Sequence, residues 1–156
     1  MSTLSHLELV PLHRPGGGNR TERWSWDFVI DGQSLAKQVG GDIVGALGWG
    51  DQPGEAHTVE KLLGRAASDL APDRVSLYVC PECGDLGCGA VTASLARQGE
   101  LVIWRDFAWQ RDWDAPDHDQ LIEMGPFAFD RGAYGRLLRA ALTVRPSAGA
   151  LPLAAS

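Results

Sequence analysis

The chain has 156 residues, 44% hydrophobic and 22% charged, with 14 Lys and Arg against 20 Asp and Glu and a formal net charge of −6. That length and composition suit one globular domain with a real core, and exclude collagen-like, coiled-coil and wholly disordered chains. No apolar run approaches the roughly 18 residues of a membrane-spanning helix, and an acidic balance with cations dispersed along the chain argues against nucleic-acid binding.

The first six residues lack a basic stretch leading into an apolar run, so no secretory leader is expected and the expected location is the cytoplasm. Residues 6–12 alternate apolar and polar like a strand, and Pro11, which has no N–H to donate, places that strand at an edge or near its end. After the glycine-rich connection 15–18, Trp24, Trp26, Phe28 and Ile30 recur with period two, a strand with a bulky inner face that stops at Asp31-Gly32. The two strands are expected to form a hairpin. Residues 34–39 suit a single helical turn, and the glycine-rich stretch 40–55 reads mostly as loop around a short apolar insert at Ile43-Val44. Thr58 is a candidate cap for a helix reaching about Leu70, with Val59, Leu62, Leu63, Ala66, Ala67 and Leu70 on its apolar face.

Val75, Leu77 and Val79, then Val91, Ala93 and Leu95, then Leu101, Ile103, Phe107 and Trp109 mark three β segments, read as an antiparallel meander over 75–109. Asp130 can cap a last helix bearing Tyr134, Leu137, Leu138, Ala141 and Leu142 on one side. The expected architecture is α+β: a single domain over 1–144, a twisted antiparallel sheet of about five strands with two main helices, and a flexible C-terminal tail from 145 to 156.

All three cysteines lie in the first connection of the meander, Cys80-Pro81-Glu82-Cys83-Gly84-Asp85-Leu86-Gly87-Cys88-Gly89. Cys-Pro-x-Cys-Gly has the form of a zinc knuckle. Pro starts a tight turn, Gly lets the chain fold back, and two thiolates converge with backbone N–H groups aimed at sulfur. Cys88 offers a third thiolate, so the loop is a candidate site for one Zn2+, whose structural sites normally take four ligands. The fourth would come from His6, His13, His57, His118 or a carboxylate such as Asp85.

Two other readings of the loop stay open. The cysteines can be small buried hydrophobes in a β connection. They can also be redox-active, with Cys80 attacking and Cys83 resolving, because Cys-Pro-x-Cys after a strand is the thioredoxin-like arrangement and Gly125-Pro126-Phe127 resembles the later cis-proline turn of that fold. Against the redox reading, Gly84-Asp85-Leu86-Gly87 is a poor start for a long helix. A zinc hydrolase with Glu82 as general base is a further reading of the same loop. No Gly-x-Ser-x-Gly elbow, phosphate-binding Gly-x4-Gly-Lys motif or paired-histidine motif is present, and Gly45-Ala46-Leu47-Gly48-Trp49-Gly50 follows no strand that would make it a dinucleotide loop.

Residues 106–123 hold six acidic residues against Arg111. Such a run is either a solvated face or a docking surface for a basic protein partner. On the docking reading, the binding residues are Trp109, Asp112, Trp113, Asp114, Asp117 and Asp119.

The run Leu77-Tyr78-Val79-Cys80-Pro81-Glu82-Cys83-Gly84-Asp85-Leu86-Gly87-Cys88-Gly89-Ala90, followed by Leu101-Val102-Ile103-Trp104-Arg105-Asp106-Phe107, resembles a group of small bacterial, mainly actinobacterial, proteins, some loosely labelled oxidoreductases. The similarity covers about 30 residues and brings no catalytic assignment. Size, acidity and Ile30-Asp31-Gly32-Gln33-Ser34-Leu35 are also similar to immunity-type proteins that neutralise bacterial toxins. Together these features lead to the expectation of a non-enzymatic binding protein with a structural cysteine loop, and a thiol-disulfide oxidoreductase as the alternative.

Overall fold

The computed structural model describes residues 3–67, 73–111 and 122–154. Two antiparallel sheets carry the chain, one of four strands and one of five. The α+β class is as expected.

The first sheet is built on the hairpin of β1 (Leu7–Arg14) and β2 (Arg23–Ile30), in register from Leu7↔Ile30 to Arg14↔Arg23. Period two puts Leu7, Leu9, Trp26, Phe28 and Ile30 on the buried face. Asp31 and Gly32 both take positive φ, the two-residue turn that leads into the short β3 (Gln33–Ser34). Ser34 then caps the single-turn α1 (Leu35–Val39), accepting from Lys37 N. β4 (Val44–Gly45) joins the sheets. It pairs with Tyr78 and Val79 in the second, while Gly45 N donates to Ser25 Oγ on β2 at 2.9 Å and Leu47 O accepts from Trp26 N at 2.9 Å.

The helix expected from Thr58 begins earlier and stops sooner. α2 spans Gln52–Leu62, capped by Asp51, whose carboxylate accepts from Gly54 N, with Pro53 in the first turn. That Asp-x-Pro start outcompetes Thr58, whose hydroxyl instead bonds back to Gly54 O at 3.0 Å. Gly64, at φ +74, ends the helix, so Ala66 and Ala67 lie beyond it, and Leu70 falls outside the described residues. Val59 and Leu62 face the core as expected.

β5 (Arg74–Val79), β6 (Ala90–Gln98) and β7 (Leu101–Gln110) form the expected meander, and β8 (Phe127–Asp130) adds a strand beside β7. Asp130 caps α3 (Arg131–Ala140), accepting from Ala133 N at 2.9 Å, and Tyr134, Leu137 and Leu138 are buried. Aromatic side chains join the layers at the centre. Trp104 meets Phe28, Phe129 and Tyr134 edge-on, and Tyr134 donates its hydroxyl hydrogen to Leu62 O at 2.6 Å. Two contacts involve the residues after 144. Arg145 donates to Gly48 O, and β9 (Leu153–Ala154) pairs with Leu9 and Glu8, because β1 offers an open edge there. Pro11 lies on β1 past the stretch that β9 covers, where its missing N–H costs no ladder bond on that side.

Candidate metal centre

The cysteine loop closes the β5–β6 connection, between the paired residues Val79 and Ala90. After Cys80 the chain folds back at once, with Gly84 N donating to Cys80 O at 2.9 Å. The backbone N–H groups of Cys83 and Glu82 point at the Cys80 sulfur. Asp85 N repeats the pattern on Cys83 Sγ at 3.3 Å. A 3₁₀ turn (Leu86–Cys88), capped by the Asp85 carboxylate on Gly87 N, then brings the third cysteine round.

The three sulfur atoms consequently lie within 4.8 Å of one another. Cys80 is half-buried, and Cys83 and Cys88 are exposed. N–H donation from Cys83 lowers the Cys80 thiol pKa below its ordinary value, whereas hydrogen bonding to Cys83 and the charge there raise that of Cys88 to about 11. Zn–S bonds of about 2.3 Å in a tetrahedral site set sulfurs about 3.8 Å apart. Cys83 and Cys88, at 3.1 Å, must therefore open slightly to share an ion. The arrangement supplies a three-thiolate donor set of the kind that soft and borderline cations take.

Beside the sulfurs lies an electrostatic mooring that no local sequence pattern signals. Glu82 Oε1 accepts from Arg14 Nη1 and from Thr21 N, each at 2.8 Å. Arg14, 6% exposed, also grips Asp42 through Nε and Nη2. The Thr21 N–H and Arg14 together hold the Glu82 carboxyl down at about 2, and Arg14 lowers that of Asp42. Arg23 donates to Pro81 O at 2.9 Å and lies over the Trp49 ring. The loop is thus tied to the β1–β2 hairpin by two arginines. Glu82 thus serves the mooring, its carboxylate engaged by Arg14 and by the Thr21 N–H.

Of the proposed fourth ligands, His6, His13 and His57 lie outside the sulfur cluster. His13 stacks on Trp24 and bonds Glu22, and His57 is exposed on α2. Asp85 spends a carboxylate oxygen on its turn, and His118 falls outside the described residues. Among the described residues the donor set is therefore Cys80, Cys83 and Cys88. A cleft of about 270 Å³ runs between the loop and α2, with Cys83 and Leu86 on one wall and Thr58 and Leu62 on the other.

No long helix follows Cys80; the next element is the three-residue turn. The Gly125–Pro126 peptide is cis, and Gly125 packs beside Phe107 and Phe127. Trp109, named above for partner contact, is half-buried, and its indole covers the backbone of Gly89, one residue past Cys88. Asp112, Trp113, Asp114, Asp117 and Asp119 lie outside the described residues. Comparison of the chain with protein-family models, curated proteins and solved structures returns no match.

Proposed function

We propose that Cys80, Cys83 and Cys88 hold one Zn2+ as a structural clamp in a non-enzymatic binding protein. The observation that carries this reading is the convergence of the three sulfurs, with backbone N–H groups directed at two of them. Such donors stabilise thiolate, the form a metal takes. The clamp serves architecture: it fixes the β5–β6 turn and, through Gly89, the indole of Trp109 near the end of β7. In the sequence, most of the acidic run follows β7. Its partner is a basic protein, in keeping with the immunity-type resemblance, and charge supplies the steering.

Metal analysis and thiol titration of protein purified without chelator test the clamp. The expected result is close to one zinc per chain with three protected thiols, and loss of the metal in Cys83→Ser. Metal-free protein with three freely titrating thiols overturns it. For the partner, neutralising Asp112, Asp114 and Asp117 should slow association with a captured basic protein and steepen nothing else; unchanged capture rejects the acidic run as the docking surface.

Thiol–disulfide exchange, with Cys80 attacking and Cys83 resolving, is the second reading, favoured by the approach of their sulfurs to within 4.8 Å. It requires turnover of a disulfide substrate that disappears in Cys80→Ser and Cys83→Ser. Slow and equal reactivity of all three thiols rejects it.

A further inference from the structure

Dispersed along the sequence, the cations converge in the fold. A cavity of about 750 Å³ is lined by Lys61, Arg65, Arg74, Arg97 and Arg105, with Asp73 as its acidic wall residue among those described. A second, of about 380 Å³, shares Arg65 and Arg97 and adds Arg131 and Arg139 from α3, against Glu100. Seven of the fourteen Lys and Arg residues thus line two neighbouring cavities with Arg65 and Arg97 in common, in a protein of net charge −6. Among the described residues, Arg65, Arg97, Arg105, Arg131 and Arg139 make no ion pair. So concentrated a positive field, in concave low-dielectric walls, attracts anions.

Arg74 points to a built site. It is 7% exposed, yet its guanidinium meets neutral acceptors only: Thr92 Oγ1, Gln110 Oε1 and the Asp106 carbonyl. These bonds use Nε and Nη2 and leave Nη1 without a partner among the described residues. Burial lowers the pKa of Arg74 although the Asp106 carboxylate acts on it in the opposite sense, so the guanidinium is only partly compensated. A bound anion would add to that compensation through a charge-assisted bond.

We propose that this pair of cavities binds a small molecule carrying two or more phosphate groups, Arg74 taking one phosphate and Arg65 and Arg97 bridging to the next. The volumes fall in the range of small-molecule sites. A nucleic-acid backbone fits less well. Its phosphates do not reach a side chain as enclosed as Arg74, and the aromatic residue in the lining, Tyr134, is 1% exposed and gives bases no ring to stack on.

Isothermal titration with inorganic pyrophosphate and with ATP, at low and high salt, tests the site. Both should bind, more weakly at high salt. Charge reversal at the exposed Arg97 or Arg65 (R97E, R65E) should weaken binding by about tenfold or more, while the same reversal at exposed Lys37 (K37E) leaves it within about twofold. Arg74→Lys should weaken binding with an unchanged circular dichroism spectrum, since Lys keeps the charge and loses the fork. Absence of binding at millimolar ligand, equal affinity in R97E and wild type, or tight oligonucleotide binding that pyrophosphate does not displace would each overturn the proposal.

Discussion

Withdrawing the metal should lower stability without dismantling the fold. The ends of the cysteine loop are already held together by the antiparallel pair Val79↔Ala90, and its middle is moored by Arg14–Glu82 and Arg23–Pro81. The cluster beneath it is small, Val44, Val79 and Ala90, and separate from the main core around Trp26, Phe28, Trp104 and Tyr134. Unlike a zinc finger, the chain does not need the ion to gather its core, so binding adds to a fold that exists without it. At free zinc about a hundredfold above Kd, linkage contributes about 2.7 kcal/mol. For a chain of 156 residues one kcal/mol moves the melting temperature by about 2–4 °C. Zinc should therefore raise it by about 5–11 °C over chelated protein. Calorimetric or circular dichroism melts in zinc buffers and in chelator read this directly, with Cys83→Ser as the variant that should not respond. A melting temperature indifferent to zinc refutes the site. Loss of the near-ultraviolet spectrum at 25 °C on chelation refutes the reasoning about where the stability lies.

Three further outcomes rest on single contacts. Glu82 titrates at about 2 in the fold against an ordinary 4.5, so the stability it gives is present above about 4.5 and is lost as pH falls through about 2; Glu82→Gln should remove that part of the acid-unfolding limb, and identical limbs would show the mooring to be inert. Tyr78→Phe deletes a hydroxyl that donates to Asp27 Oδ1 at 2.6 Å and accepts from Phe28 N at 3.1 Å, all buried; urea unfolding should register a loss of about 1.5–3 kcal/mol, and a loss well under one would mean that water replaces the hydroxyl. Gly89→Ala forces a side chain into positive φ, +99°, and into the Trp109 indole, for about 1–2 kcal/mol of backbone strain plus the displacement; weaker zinc affinity with a red-shifted tryptophan emission is expected, and wild-type values of both would uncouple Trp109 from the loop.

Period two over Trp24, Trp26, Phe28 and Ile30 was enough to place the central hairpin, and Asp130 ahead of an apolar 3.6-residue pattern was enough to place α3. Cysteine spacing alone brought the three sulfurs together on paper, because a knuckle turn leaves a chain that short few other paths. Where pairing is decided by a neighbour's edge, local pattern says little: β4, β8 and β9 have two, four and two residues, and their positions follow from β5, β7 and β1. The start of α2 was missed for a different reason. Asp51-Gln52-Pro53 carries a helix-start signature, but the glycines around it read as loop. The mooring of Arg14, Asp42 and Glu82 joins residues 28 and 68 positions apart, and no spacing rule reaches so far.

The net charge of −6 is a poor guide to the surface, because the fold sorts charge that the sequence scatters. Along the β6–β7 hairpin, Ala90↔Gln110 marks the cysteine-loop end and Gln98↔Leu101 the other. Eight residues of β6 separate those pairs, about 26 Å at strand rise. Arg97 and Glu100, at the rim of the basic cavities, belong to the second end, whereas Arg74 reaches back along the hairpin to Asp106 O and Gln110 Oε1. At that separation substitutions act independently unless an element carries strain between them. Among the described residues, Lys61 on α2 and Val75 on β5 line both the cleft beside Cys83 and the larger basic cavity. R97E should therefore leave zinc content unchanged, and Cys83→Ser should leave pyrophosphate binding unchanged. Any measured coupling would pass through that shared wall or through the Arg74–Gln110 bond, and replacing Lys61 or Gln110 would tell the two routes apart.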